Sequence, residues 1–212
     1  MKKTLFLFVG ACVLYLTSVA QSEAYYGKMR ETLAWMDSAR TTSEMQEVSA
    51  QFERIGDAEQ GQWLPYYYAA LSQLNIGWRD QKADKDKLAD KVKSLLTKAE
   101  AIQKNTELYL LRYMVATQQM LVDPASRWMT YSSVMDAALA NAKKADPNNP
   151  RIYYLEGSGV FGKPEAFGGG KSNAKPLFEK AVNLFRNFKP ESPLHPKWGQ
   201  QQAEEMLVKC SS

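Results

Sequence analysis

Apolar residues recur along this chain at spacings of three and four, and they nowhere sustain the strict alternation of a half-buried strand. Leu88, Val92, Leu95, Leu96 and Ala99 form one such stripe, and Leu108, Leu111, Met114 and Val115 form another. Residues so spaced share one face of a helix with 3.6 residues per turn. Helix breakers fall between the stripes. They are Gly56 and Gly61, Asn75 to Gly77, Asp123-Pro124, Asp146-Pro147-Asn148-Asn149-Pro150, Gly168 to Gly170, and Pro190 to Pro196. The pattern predicts an all-α chain of eight or nine helices joined by short turns.

The helices also recur in pairs. Aromatic-led apolar starts stand at Tyr66, Tyr109, Tyr153 and Trp198, at intervals of 43, 44 and 45 residues. Each interval holds two helical stretches, the mark of a helix-turn-helix unit stacked on copies of itself. Such a unit cannot bury its apolar face alone.

Ala174, Phe178 and Ala181, within Ala-Lys-Pro-Leu-Phe-Glu-Lys-Ala, resemble the second helix of a tetratricopeptide repeat. The turn Asp146 to Pro150, followed by Tyr153 and Gly157 and preceded by Ala142, resembles that repeat's boundary and next first helix. Trp63 to Ala70 and Phe167 to Gly170 are similar to exported tetratricopeptide-like proteins of the Bacteroidetes. The resemblance implies an α-α superhelix of stacked helical hairpins, packed through Ala142, Gly157, Ala174, Phe178 and Ala181. The usual repeat has ~34 residues. The longer period here implies degenerate repeats, with broader turns at Asn75 to Lys85 and Gly162 to Lys171.

Composition narrows the setting. With 45% hydrophobic and 24% charged residues, the chain can bury an ordinary core. The net charge of +4 arises from 27 basic and 23 acidic residues that are well mixed, which argues against nucleic acid as a partner. Two of the basics, Lys2 and Lys3, begin a segment that reads as a secretory signal. An apolar stretch from Thr4 to Thr17 follows, and Ser18-Val19-Ala20 supplies small residues for cleavage. The expected division is a signal peptide over 1–20 and a repeat domain over 21–212, with a periplasmic mature chain that has no integral span. Val9-Gly10-Ala11-Cys12 is similar to a lipobox, but the apolar run continues after Cys12, so cleavage is the preferred reading over a lipoprotein. Cys210 is then the one remaining thiol.

Several motifs invite a catalytic reading and lack its context. Gly170-Lys171-Ser172 ends like a phosphate-binding loop, but Glu165 stands where that loop needs glycine. A Gly-rich turn with Ser172 or Asn173 capping the next helix is the expectation instead. Gly157 to Gly162 satisfies the dinucleotide fingerprint without a flanking strand, so Gly157 and Gly159 are read as close-contact glycines and Gly162 as a helix end. The sole histidine, His195, lies between prolines in a loop and is expected to be exposed. Alone it makes no metal site. No cofactor and no catalytic set is expected.

The aromatic residues carry more information. Tyr66, Tyr67 and Tyr68 are consecutive, so the pattern predicts that they face different sides and are not all core. In stacked helix pairs the first helices line a concave face, where tyrosine and arginine suit recognition. Tyr67, Tyr109, Arg112, Tyr113 and Tyr154 are the candidate partner-binding residues. The expected function is a non-catalytic scaffold holding a protein or peptide in a concave helical groove. The alternative is a small-molecule binder serving transport, similar to tetratricopeptide-like components associated with TRAP transporters. A deep pocket lined by tyrosine and methionine would favour the alternative, and a shallow groove the scaffold. A third reading, a hydrolase, would require His195 in a closed pocket beside a carboxylate and a hydroxyl.

Overall fold

The computed structural model describes residues 23–211, and the leader and lipobox readings lie outside them. The described residues are all-helical, without a strand. Helix α1 covers 23–38. It is followed by α2 (Thr42–Ala58), α3 (Leu64–Arg79), α4 (Lys85–Ile102), α5 (Thr106–Met120), α6 (Pro124–Ala145), α7 (Pro150–Gly162), α8 (Lys171–Phe185) and α9 (Gln200–Ser211). A 3-10 turn, Glu165–Phe167, lies between α7 and α8.

Local chemistry sets most helix starts. Thr41 and Glu44 form a reciprocal capping box at α2, and Asp84, Asn105, Asp123 and Asn149 each accept a backbone N–H at the start of α4, α5, α6 and α7. Each cap satisfies one of the amides a helix start leaves unpaired. Helix α8 differs from expectation. Its N-cap is Gly170 at φ +90° without a side-chain cap, while Asn173 turns back to donate to the Gly169 carbonyl.

Two expected breakers are interior to helices. Gly56 lies in α2 and Gly77 in α3, so the turn expected at Asn75 to Lys85 shrinks to the residues after Arg79. Both glycines serve contact rather than bending. A Cβ on Gly56 would meet the Tyr66 ring at 2.8 Å, and one on Gly77 would meet Gln118 Oε1 at 2.6 Å. Gly157 is equivalent, with the Phe178 ring 3.0 Å away. Ala142, Ala174, Phe178 and Ala181 are all fully buried.

Odd-numbered helices touch one another in sequence, α3 with α5, α5 with α7 and α7 with α9, while α4, α6 and α8 each pack against their two neighbours in the chain and α2 packs against α3. Helix α3 is enclosed by this arrangement. Tyr66, Tyr67 and Tyr68 are therefore all buried, at 7%, 0% and 6% exposure, contrary to the reading that they could not all be core. Burial on every side is tolerated because each hydroxyl has a partner. Tyr66 donates to Asp57, Tyr68 donates to the Leu194 carbonyl, and Tyr67 accepts from Trp198.

The core falls into two clusters, one built from α1 to α5 and one from α5 to α9. The connection between α8 and α9 joins them. It sends Leu194 into the first cluster, and Trp198 and Met114 pack against both.

Candidate functional site

Between the odd-numbered helices and the α8–α9 connection lies a cavity of about 980 Å³. Helix periodicity builds its walls. Tyr68, Leu71, Asn75 and Trp78 come from successive turns of α3, and Tyr113, Thr117 and Leu121 from α5 and its end. Tyr154 and Ser158 project from α7, with Leu155 and Gly159 beside them, and Leu33, Ala34 and Met36 from α1. Met114 adds a thioether beside Tyr113. The α8–α9 connection contributes Pro193, His195, Lys197 and Trp198, and α9 contributes Gln202.

The lining is aromatic and aliphatic with a basic bias. Arg30, Arg79 and Lys197 are its cations and Asp37 its one carboxylate. Among the described residues, no ion pair holds these cations. Arg30 donates to the Tyr26 carbonyl and Arg79 to the Ala39 carbonyl, both neutral acceptors. A cavity of this size and polarity suits a large, mostly apolar ligand oriented by a few polar groups.

The tyrosine hydroxyls are held back from chemistry. Tyr113 donates to the Leu155 carbonyl at 3.2 Å, and burial pushes its phenol up to about 12. Burial likewise raises Tyr68 and Tyr154. These phenols stay neutral and supply flat apolar surface with a polar rim.

His195 is not the exposed loop residue that the sequence suggests. Its side chain is 18% exposed, it lines the cavity, and its ring lies edge-on to Trp63. Nδ1 meets the Ser192 hydroxyl at 2.7 Å and Nε2 meets Glu191 at 3.3 Å. A carboxylate and a hydroxyl are thus beside the histidine, as a hydrolase would require. Both belong to the same tight turn, however, and Glu191 is 83% exposed. Ser192 already accepts the Leu194 amide, and it does not line the cavity. The group braces a loop; it does not aim a nucleophile at a bound ligand.

The other candidates divide. Tyr113 and Tyr154 line the cavity. Tyr67, one position from Tyr68, is fully buried behind the wall and accepts from the Trp198 indole. Tyr109 is half-buried against the second core, and Arg112 forms a bidentate pair with Glu100 of α4, at 2.6 and 2.7 Å. Sequence reasoning missed Tyr68, Trp78 and Trp198. The spacing of Tyr68, Leu71, Asn75 and Trp78 carries the first two; nothing local marks Trp198 as a wall.

No family model matches the sequence, and no curated protein does. Among solved structures, the HusA haemophore from Porphyromonas gingivalis superposes with a TM-score of 0.79 at 34% sequence identity. The match covers 88% of this chain and 92% of that one. The chain belongs to the HusA haemophore family. Membership accords with a binding role and places it with a protein from the Bacteroidetes. No helix among the described residues is long and apolar enough to cross a membrane.

Proposed function

We propose that this HusA relative is an exported, non-catalytic carrier that holds haem, or a closely related tetrapyrrole, in the cavity between its odd-numbered helices. The observation that carries the reading is the wall itself. Tyr68, Trp78, Tyr113, Tyr154 and Trp198 surround one space, with Arg30, Arg79 and Lys197 on its lining. A tetrapyrrole is a broad apolar plate whose acidic side chains stand on its edge. Aromatic faces bury such a plate, and arginine and lysine pair with carboxylates.

The tyrosine- and methionine-lined pocket favours a small molecule over the peptide or protein partner that the repeat resemblance implies. Support for the small ligand also comes from the α8–α9 connection, which adds Pro193, His195, Lys197 and Trp198 as a further wall of the same space. The helix order suits a degenerate tetratricopeptide-like stack with first helices inside. Residues 1–20 serve as the export signal in this reading, which delivers residues 21–212 to the periplasm or beyond.

Titration of the purified chain with haem, followed by visible absorbance and tyrosine and tryptophan quenching, tests the proposal. Saturable binding at one site, abolished by Trp198→Ala with Tyr113→Ala, is the expected result. Haem spectra that match those with an unrelated helical protein would refute it.

A further inference from the structure

Arg151 is the largest fully buried side chain among the described residues, at 1% exposure, and it does not line the cavity. Its guanidinium pairs with Glu107 of α5, with Nη2 to Oε1 at 2.6 Å and Nε to Oε2 at 3.0 Å. Asn149 also donates to Glu107 Oε1, at 2.6 Å. The remaining face of the guanidinium is turned on the α8–α9 connection. Nη1 donates to the Trp198 carbonyl at 3.2 Å, and the cation lies over the rings of Phe188 and Trp198, at 4.7 and 5.4 Å. Gly199, at φ +110°, brings the backbone so close that a Cβ there would meet Arg151 Cγ at 3.2 Å.

A buried ion pair is a costly way to stabilise a core, because apolar side chains of similar volume often serve as well. Its retained advantage is directional: a planar fork fixes what it touches. Here it bears on Trp198, the one tyrosine or tryptophan of the lining that no helix holds. Tyr68, Tyr113 and Tyr154 are placed by helix register, whereas Trp198 precedes α9 in a connection of irregular backbone.

We infer that Arg151, locked by Glu107, is a positioning residue for ligand binding that sets affinity by orienting the Trp198 wall of the cavity. The inference rests on the proposed tetrapyrrole reading. It is separable from it, because Trp198 can be followed without ligand through its indole N–H resonance.

Arg151→Met alone strands a buried carboxylate and is expected to impair folding. The paired variant E107Q/R151M removes both charges and keeps an acceptor for Asn149. It is expected to fold with a native helical spectrum, to shift and broaden the Trp198 indole resonance, and to bind haem about tenfold more weakly. In a Trp198→Ala background the same pair of substitutions should cause no further loss of affinity, because the group it positions is gone. An unmoved Trp198 resonance overturns the inference, as does haem affinity equal to that of the unaltered chain. If the unaltered chain takes up no haem, the functional reading fails by itself, and the resonance still decides whether Arg151 places Trp198.

Discussion

The indole Nε1–H of Trp198 donates to the hydroxyl of Tyr67 at 2.8 Å, joining residues 131 positions apart. Tyr67 is buried in α3, whereas Trp198 is in the connection before α9, so this bond ties the last helix pair to the first core. Tyr67→Phe removes the acceptor and leaves a half-buried indole N–H without its partner. A loss of about 1 kcal/mol is expected, which lowers the melting midpoint by ~2–4 °C in a domain of this size. Calorimetry checks the stability term. Haem titration should show a smaller loss than Trp198→Ala, since the ring stays in the wall.

Gly159 tests the cavity from another wall. A Cβ at this position would lie 2.3 Å from the Tyr113 hydroxyl, with nothing else closer than the same ring. Gly159→Ala is expected to displace Tyr113 from the Leu155 carbonyl and into the cavity, which lowers ligand affinity. Gly157→Ala meets Phe178 and Leu177 instead and is expected to cost about 1–3 kcal/mol in stability. Parallel unfolding and binding curves for the two variants separate these effects.

Arg112 offers a negative control with a defined outcome. Its guanidinium is committed to Glu100, and that pair raises its pKa through the shared hydrogen bonds. Arg112→Met is expected to leave haem affinity unchanged and to lower stability by about 1 kcal/mol, as a partly buried bidentate pair is lost. A large loss of affinity with unchanged stability would show that Arg112 contacts the ligand after all.

Charge on the cavity lining predicts a dependence on the ligand's acids. Arg79→Met and Lys197→Met should each weaken haem binding, by less at high salt, where exposed pairs are screened. The esterified tetrapyrrole, which has no carboxylates, should bind both variants as well as it binds the unaltered chain. Titrations with the two ligands at low and high ionic strength provide the comparison.

Alkaline pH should loosen the fold. Burial raises Tyr66, further raised by its bond to Asp57, to about 12, and burial raises Tyr113 to about 12, from an ordinary value of 10.0. A phenol whose folded pKa exceeds its unfolded one stabilises the fold fully below the unfolded value, and that contribution disappears as pH rises through the folded value. Denaturant midpoints are therefore expected to fall between pH 10 and pH 12, in step with ionisation seen as tyrosinate absorbance. Tyr66→Phe should remove part of this dependence.

The repeat period illustrates what was legible. Tyr66, Tyr109 and Tyr153 do stand near the starts of α3, α5 and α7, and Leu88 to Ala99 is the inward stripe of α4. The candidate Tyr67 shows the limit. Neighbouring helical residues differ by about 100° around the axis, so the step from Tyr67 to Tyr68 separates core from cavity wall. Apolar spacing around Tyr66 to Tyr68 does not resolve that step, because α3 is buried on all sides from Leu64 to Leu74 and presents no polar face there to set its rotation. Gly56 and Gly77 mislead for a related reason. Their composition signals a break, whereas the packed Tyr66 ring and Gln118 side chain make them contacts.

Helix content, helix starts and the pairing of helices are written in the sequence by itself, since periodic apolar positions and capping side chains act within a few residues of one another. The path of the segment from Arg186 to Gly199 is not. Its prolines and single histidine look like a solvent loop, whereas the bonds from Tyr68 to Leu194, from Trp198 to Tyr67 and from Arg151 to Trp198, with Leu194 packed in the first core, bring it across to line the cavity. Those contacts join residues far apart in the chain. Their formation depends on where two separately built cores come to rest, and no local pattern encodes that distance.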